Sequence, residues 1–286
     1  MHNETADAAS PDLIARDGTC YAITGNGKPV VLVHGVGMSQ PVWASQVATI
    51  AATRQVITYD LLGHGRSPLP PVDATLSDYS TQLLMLFDEL DIAQADIIGH
   101  SMGALIALEF GITQPQRCSS VVALNAVFCR TPEQWATVMG RAADLEKNGI
   151  SSTIEPTLAR WFGDESNASL TWARQLVKGL LQDIDPVGYA RSYSVFASSD
   201  ARHASSLKML KMPALFLTGE CDPNSTPEMS EVMASLAPYG RSQVLSSERH
   251  MMGITAAVRV NQAIVSFLDQ VDQATVGSAS QQVQQK

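Results

Sequence analysis

The stretch DIIGHSMGAL, residues 96–105, constrains the fold of this chain more than any other segment. An apolar run predicts a buried strand over Ala95–Gly99, and it ends directly in the letters GHSMG. An apolar pattern with helical spacing begins at once and predicts a helix over Met102–Thr113. A serine held between two glycines, where a strand turns straight into a helix, indicates a tight corner that exposes the hydroxyl.

Strand-like and helix-like segments alternate through most of the chain. Strands are predicted at Thr19–Thr24, Pro29–Val33, Gln55–Tyr59, Val121–Leu124, Ala214–Thr218 and Ser242–Leu245, and helices at Val42–Ala52, Ser77–Leu90, Pro227–Leu236 and Thr255–Gln270. Only helical patterns occupy residues 127–206, at Pro132–Asn148, Ile154–Phe162, Leu170–Leu181 and Pro186–Ala197. The alternation predicts an α/β fold with a mostly parallel sheet covered by helices on both faces. The predicted domain organisation is therefore an α/β core formed by residues 1–126 and 207–270, interrupted by a helical insertion at 127–206.

Composition narrows the class of protein. Of 286 residues, 45% are hydrophobic and 16% charged, which allows a sizeable buried core. The net charge of −9 and the absence of a Lys/Arg-rich run argue against a nucleic-acid partner. The four cysteines form no CxxC pair and no zinc spacing, so we expect them reduced and expect neither a metal nor a cofactor. No apolar run reaches 18 residues, so we expect no membrane partner.

The two ends of the chain are polar. The start, MHNETADAASPDL, has neither a basic region nor an apolar core, so no signal peptide is predicted and a cytoplasmic location is expected. The tail 271–286 is of low complexity and is predicted to be disordered. These observations favour an enzyme that acts on a small-molecule substrate and leave the oligomeric state open.

The pattern G-x-S-x-G between a strand and a helix is typical of a nucleophilic serine. The strained turn crowds the positions two residues on either side of Ser101, and Gly99 and Gly103 are small enough to occupy them. The turn places the hydroxyl over the first helical amides, so the N–H of Met102 can bind a developing oxyanion. The alternative is a structural turn in which the serine is incidental.

A nucleophilic serine needs a base, and His250 is the best placed of the six histidines. It follows the last predicted strand and precedes the last helix, where the chain order serine, acid, histidine places the base. A surface loop histidine is the alternative reading. The others lie in the terminus, in glycine-rich turns or at the end of the insertion, at His2, His34, His64, His100 and His203.

The base in turn needs a carboxylate to fix its tautomer. Asp222 follows the strand Ala214–Thr218 in TGECDPNSTP and is favoured over Glu220 and Glu248. A second position, at the end of the strand after the serine helix, holds the uncharged Asn125.

A second oxyanion donor is expected in the letters HGVG that follow the strand PVVLV. Glycines there let the backbone approach a reacting carbonyl, so the N–H of Val36 can join that of Met102. Losing one such donor typically costs about 3 kcal/mol of transition-state binding. A plain strand-to-loop turn is the alternative, and it is compatible with this role.

With these pieces in order, the chain resembles the α/β-hydrolase superfamily over roughly residues 18 to 270, through VLVHGVG, YDLLGHGRS, GHSMG, TGECDPNSTP and the late histidine. The resemblance implies an eight-stranded sheet and makes 127–206 a helical cap over the active site. It implies a nucleophile at Ser101, an acid at Asp222 and a base at His250. It also implies structural rather than chemical roles for the turn residues Asp60, Gly63, His64 and Gly65. Serine at the elbow, where epoxide hydrolases and haloalkane dehalogenases carry aspartate, implies an acyl-enzyme.

Within the superfamily the chain is most similar in appearance to 3-oxoadipate enol-lactone hydrolases of ring-cleavage catabolism. HGVGMSQPVW matches their glycine loop, and LARWFGDE with DPVGYARSYSVFASSD matches their cap. The chain departs from them at His34-Gly35, usually Asn-Ser, at Leu62, usually Arg, and at Ser192-Tyr193-Ser194, usually a small-residue and cysteine pattern. A related substrate is therefore predicted: an acidic enol ester, or the enamide of a ring-opened dicarboxylate.

A carboxylate-bearing substrate needs a cation in the cap, because arginine binds a carboxylate through two parallel hydrogen bonds. Arg130, Arg160 and Arg191 are the candidates, and solvated or ion-paired arginines are the alternative. The insertion holds three tryptophans, Trp135, Trp161 and Trp172, and at least one of them is expected to line the substrate pocket. The alternative is that these aromatic side chains pack the cap helices together.

Three functions remain open on these residues. The first is a serine-triad hydrolase of a small ester, lactone or amide. The second keeps the fold and the triad but acts as a lyase or a perhydrolase. The third is a ligand-binding protein without catalysis, and it is disfavoured because every catalytic role has a residue to fill it.

Overall fold

The computed structural model describes residues 12–163 and 168–283, so most of the polar N-terminus lies outside the described residues. Eight strands form one sheet in the order β1-β2-β4-β3-β5-β6-β7-β8. Strands β1 and β2 pair antiparallel, and β3 to β8 are parallel to one another. The strand bounds are β1 Leu13–Ile14, β2 Cys20–Thr24, β3 Pro29–Val33, β4 Gln55–Tyr59, β5 Ala95–His100, β6 Cys118–Leu124, β7 Ala214–Gly219 and β8 Gly240–Leu245. The eight-stranded α/β fold is therefore confirmed.

The helices overlap the predicted segments, and the one predicted at Thr255–Gln270 begins at Ala257 and extends to Val283. They are α1 Ala44–Ile50, α2 Leu76–Glu89, α3 Met102–Thr113, α4 Pro132–Asn148, α5 Ile154–Phe162, α6 Ala168–Asp183, α7 Pro186–Ser198, α8 Pro227–Leu236, α9 Met252–Thr255 and α10 Ala257–Val283, with 3-10 turns at Gln40–Trp43 and Leu207–Met209. The helix predicted to begin at Val42 is preceded by the 3-10 turn Gln40–Trp43, in which Pro41 lies near the start, where its missing N–H is tolerated.

The core lies around the central strands and the helix α3. The run PVVLV of β3 is apolar at every position because a parallel strand is covered on both faces, and Val30 to Val33 are wholly buried. Helix α3 is buried from Met102 to Gly111, so it lies inside the domain rather than on its surface. The serine corner is thus held between two of the best-packed elements of the chain.

Helix α10 continues to Val283, into the tail 271–286 that the sequence predicts to be disordered. Asp272 explains the extension: its carboxylate forms ion pairs with Lys28 and, at 2.9 Å, with Arg54. Arg54 is itself buried and bonds Asp96 of β5 at 3.0 Å. These pairs hold the helix against the sheet beyond the point where its apolar pattern fades.

Four helices, α4 to α7, occupy the described parts of the segment 127–206, and we call them the cap helices. Helix α7 rests on the turn after β4, where Gly188 lies so close to Gly63 that a Cβ on either would overlap the other's backbone. The hydroxyls of Tyr79 and Ser192 are hydrogen-bonded at 2.7 Å, and Arg191 donates to the Pro70 carbonyl at 2.7 Å. These contacts seat the cap helices above the carboxyl edge of the sheet.

Candidate active site

Loops that follow parallel strands bring the predicted site residues to one edge of the sheet. The loop 34–37, which is predicted to hold an oxyanion donor and which we call the oxyanion loop, follows β3, and Ser101 follows β5. Asp222 and His250 follow β7 and β8. The carboxyl ends of parallel strands meet at the same edge, which is where α/β folds bind ligands.

The corner at Ser101 is strained as its sequence predicts. Ser101 has φ 56° and ψ −115°, a conformation that costs a non-glycine residue free energy. A Cβ on Gly99 would overlap the backbone of Gly103, and a Cβ on Gly103 would overlap the carbonyl of Val33. The Ser101 N–H donates to the Leu124 carbonyl at 2.8 Å, which ties the corner to β6. The glycines are therefore needed for the packing that holds the serine in place.

Asp222 and His250 form a buried pair. Their side chains are 0% and 2% exposed, and His250 Nδ1 lies 2.7 Å from Asp222 Oδ2. The other carboxylate oxygen, Oδ1, accepts the Asn224 N–H at 2.8 Å. Burial alone would raise the pKa of Asp222, but the nearby imidazole and three donated hydrogen bonds lower it. An ionised carboxylate that accepts from Nδ1 leaves the imidazole Nε2 free as an acceptor.

The two rival acids lie in other contacts. Glu220 accepts the Ser247 N–H at 2.9 Å. Glu248 bonds the Thr255 hydroxyl at 3.0 Å and pairs with Arg259 at 3.1 Å. The structure thus brings Asp222, and neither glutamate, onto His250.

Two further residues, Trp161 and His100, hold His250 in place. Trp161 of α5 stacks on the imidazole with ring centroids 5.5 Å apart, and the His100 ring lies 4.9 Å away. His100 Nε2 lies 2.8 Å from the His250 carbonyl oxygen, and burial lowers the pKa of His100 to about 3, so this ring is neutral and donates there. Within the described residues no hydrogen bond joins Ser101 to His250, although both line one cavity. Such bonds often tighten only when substrate is bound.

The oxyanion loop is braced by two buried histidines. His64 Nε2 accepts the Gly37 N–H at 2.9 Å, and His34 Nε2 accepts the Leu61 N–H at 3.0 Å. Burial lowers the pKa of His34 to about 4 and that of His64 to about 3, so both rings stay neutral and keep these acceptors. Each Nδ1 lies within 3.0 Å of a backbone carbonyl, to which the neutral ring donates. This pairing gives the turn residue His64 a definite structural role.

Val36 lies between these braced positions, and the loop is close to the serine. A Cβ placed on Gly35 would lie only 3.1 Å from the Ser101 Cβ. Neither the Val36 N–H nor the Met102 N–H has an acceptor among the described residues. Both amides are therefore available to an oxygen atom placed next to Ser101.

A cavity of about 220 Å³ lies between this edge and the cap helices. From the core, its walls are Val36, Ser101 and His250, with Pro223 and Asn224, which directly follow Asp222. From the cap, they are Arg130, Glu133, Gln134, Thr137, Val138, Arg141, Arg160, Trp161, Tyr193 and Phe196. A smaller cavity of about 100 Å³ lies between α4, α5 and α7 and shares Arg141, Arg160 and Tyr193 with the first. The volume suits a small molecule rather than a polymer.

The arginines predicted to bind substrate separate into different environments. Arg160 reaches the cavity and donates to Thr157 Oγ1 at 3.2 Å, while its Nε has no partner within the described chain. Arg130 also lines the cavity but pairs with the buried Asp200 at 3.4 Å and lies over Phe196. Arg191 lies outside the cavity lining because its guanidinium bonds Pro70.

The tryptophans separate in the same way. Trp161 is buried and lines the cavity against His250. Trp135 and Trp172 are 48% and 57% exposed and lie outside the lining. The prediction of Trp135 as a substrate contact is therefore not supported, because α4 turns that side chain to solvent.

Sequence reasoning missed Arg141. It lies on α4, one turn after Thr137 and Val138, and lines both cavities. Gln134, Val138 and Arg141 repeat at helical spacing, so they share a face. That periodicity was the available signal, but it needs the packing of α4 to show that the shared face points at the serine.

A family model described as alpha/beta hydrolase fold matches residues 28–257. The (E)-2-((N-methylformamido)methylene)succinate hydrolase of Acinetobacter baylyi is 36% identical over 249 residues, which cover 87% of this chain and 93% of that protein. The 3-oxoadipate enol-lactonase 1 of the same organism is 29% identical over 247 residues, covering 86% and 90%. The crystal structure of the enol-lactonase from Burkholderia xenovorans LB400 has a TM-score of 0.82 and 27% identity, covering 91% of this chain and 100% of that one.

The described residues hold neither a metal-binding cluster nor a membrane-spanning helix. No group of three His, Cys, Asp or Glu side chains there is arranged to hold a metal ion. None of the helices described is both long and apolar enough to cross a membrane. The eight-stranded sheet, the family match and the 36% identical hydrolase agree with one another. The chain belongs to the α/β-hydrolase family and is a hydrolase.

Proposed function

We propose that this hydrolase uses Ser101, His250 and Asp222 as a catalytic triad to cleave a small carboxylate-bearing enamide. The observation that carries the proposal is that the strained Ser101, the Asp222-paired His250 and the cap residues Arg141 and Arg160 all line one cavity. Cleavage proceeds through an acyl-enzyme, because serine at the corner forms an ester with the acyl group.

The first half of the reaction forms that ester. His250 Nε2 removes the Ser101 proton while Oγ attacks the carbonyl carbon, and Asp222 stabilises the imidazolium. The carbonyl oxygen becomes an oxyanion, which accepts hydrogen bonds from the Val36 and Met102 amides. The C–N bond then breaks as His250 returns the proton to the leaving nitrogen.

The second half releases the acid. A water molecule gives a proton to His250 Nε2 and attacks the acyl carbon, which forms a second oxyanion at the same two amides. The bond to Ser101 Oγ breaks, and Oγ takes the proton back from His250. The products are the free acid and the enamine, and the serine is restored.

The charge of the cavity supports a carboxylate on the substrate. Arg141 and Arg160 both line it, and neither forms an ion pair within the described part of the chain. Arg130 is a third guanidinium in the cavity wall, but its charge is compensated by the ion pair with Asp200. Glu133 is the carboxylate in the cavity wall, so Arg141 and Arg160 still leave the lining net positive, which favours an anionic ligand.

An enamide is preferred because of the relatives. The relative with 36% identity is named for a succinate that carries an N-methylformamido-methylene group, and that compound is a dicarboxylate with an amide bond. The second candidate substrate is an enol-lactone, which the 29% identical lactonase and the matching crystal structure favour. Both substrates fit the same triad, since only the leaving atom differs.

The test compares three compounds on the purified full chain. We expect C–N cleavage of (E)-2-((N-methylformamido)methylene)succinate, followed as the initial rate of formate release, with kcat/KM about 100-fold or more above that for formate release from its dimethyl ester, which carries no charge. 3-Oxoadipate enol-lactone is the third compound. Turnover of the lactone alone would select the second candidate, and equal turnover of the diacid and its dimethyl ester would contradict carboxylate recognition.

The triad is tested with Ser101→Ala and a fluorophosphonate probe. We expect the variant to keep its fold by circular dichroism, to lose turnover and to resist labelling. Full activity of Ser101→Ala would rule out the serine mechanism. Wild-type protein that binds the diacid but neither turns it over nor reacts with the probe would instead favour a ligand-binding role.

A further inference from the structure

Asn125 stands at the end of β6, in a position where its backbone is clamped from two sides. Its N–H donates to the Leu217 carbonyl at 2.9 Å, and its carbonyl accepts the Ser225 hydroxyl at 2.6 Å. Its φ is 50°, in the left-handed region that asparagine tolerates better than most residues. The side chain is wholly buried and its direction is therefore set by the backbone.

The amide of Asn125 points at the acid. Asn125 Nδ2 donates to Asp222 Oδ2 at 2.8 Å, and this is the same oxygen that lies 2.7 Å from His250 Nδ1. The Asn224 N–H holds the other oxygen at 2.8 Å. Three donors on one carboxylate fix its rotation about the Cβ–Cγ bond, and with it the direction in which Oδ2 faces the imidazole.

The other half of the amide shows that the N–H is the important group. Asn125 Oδ1 is buried and has no hydrogen-bond partner among the described residues. Leaving a buried acceptor unpaired is unfavourable, so an amide here does not serve to satisfy the local polar groups. An aspartate at the same place would set a second negative charge against Asp222, whereas asparagine has the same shape and supplies a donor.

We propose that Asn125 is a positioning residue that holds Asp222 on His250. The inference rests on the proposed function, in which Asp222 orients and stabilises the base. Asn125 lies outside the cavity lining and its amide bonds Asp222, so it acts on kcat through the carboxylate. Substrate binding, which depends on the cap side of the cavity, is unaffected.

The experiment is a double-mutant cycle on the full chain with the most active substrate from the panel above. Asn125→Gly removes the amide without straining a positive φ. We expect it to lower kcat about 10–100-fold and to leave KM within twofold, as outer-shell partners of catalytic groups generally do. In an Asp222→Ala background, Asn125→Gly should change kcat less than twofold, because the group it acts through is gone.

Asn261→Ala is the matched control. Asn261 is a buried asparagine whose amide bonds Ser45 and Thr49, away from the acid. Its effect on kcat, through lost stability, should be the same factor in both backgrounds. Asn125→Leu, of similar volume but without a donor, replaces Asn125→Gly if the latter does not fold, and it should lose at least as much kcat.

Two results would overturn the inference. One is a kcat within twofold of wild type for Asn125→Gly, or for Asn125→Leu where that variant replaces it. The other is an equal fold-loss from Asn125→Gly in the wild-type and Asp222→Ala backgrounds, which would mark a structural role. Full activity of Asp222→Ala would contradict the proposed triad, and this inference with it. Loss of activity in Asp222→Ala without any effect of Asn125→Gly would contradict this inference alone.

Discussion

Arg160→Met should weaken catalysis and stabilise the fold at the same time. Arg160 is partly buried in α5 beside the cavity, and within the described chain no carboxylate pairs with it. Burial, and then the like charge of Arg141, lower the pKa of its guanidinium. Holding the charge there therefore costs stability in the empty protein, and the proposed substrate carboxylate would offset that cost.

The magnitudes follow from what methionine removes. A hydrogen bond to a charged group contributes about 1.5–3 kcal/mol, so its loss should raise KM about 10–150-fold for the diacid. Methionine keeps the length of the buried stem and removes an unpaired charge. If that relief is about 1 kcal/mol, Tm should rise by about 2–4 °C for a chain of this size.

The assay measures KM and kcat for the diacid and its dimethyl ester, together with thermal unfolding at low ionic strength. Arg191→Met is the control, because Arg191 bonds Pro70 outside the cavity and its loss should leave KM within twofold. The dimethyl ester should lose nothing from Arg160→Met. A variant with lower Tm and unchanged KM would show that Arg160 is a structural arginine and would refute the reasoning.

Two further perturbations probe the frame of the site. The pKa values of His34, His64 and His100 are lowered to about 4, 3 and 3 from 6.5. As pH falls below about 6.5 the unfolded chain takes up protons that the folded chain excludes. Urea unfolding should show stability falling by up to ~1.4 kcal/mol per pH unit for each histidine, and His64→Gln should flatten that slope; an unchanged slope would contradict neutral burial. Asp200→Asn leaves the buried charge of Arg130 unpaired and should cost about 3–5 kcal/mol of unfolding free energy at neutral pH, whereas a loss below about 1 kcal/mol would show that the pair is dispensable.

Local sequence was enough for the fold and for the residues at the ends of the strands. A run such as PVVLV, apolar at every position, indicates a strand covered on both faces. The glycines on either side of Ser101 indicate a tight turn, because larger residues there would overlap the backbone. The histidine and the acid were chosen by their order along the chain. That order carries the information because each parallel strand delivers its following loop to the same edge.

Tertiary structure alone decided which polar groups of the cap reach that edge. From the sequence, Arg130, Arg160 and Arg191 were equal candidates for binding the substrate carboxylate, and Arg141 was not among them. Packing of the cap helices turned Arg141 and Arg160 into the cavity, matched Arg130 with Asp200 and sent Arg191 to Pro70. A helix has polar positions all around it, and only its neighbours determine which of them face the serine. The aim of the Asn125 amide at the acid has the same origin, since it depends on the register of β6 against β7, strands far apart in the chain.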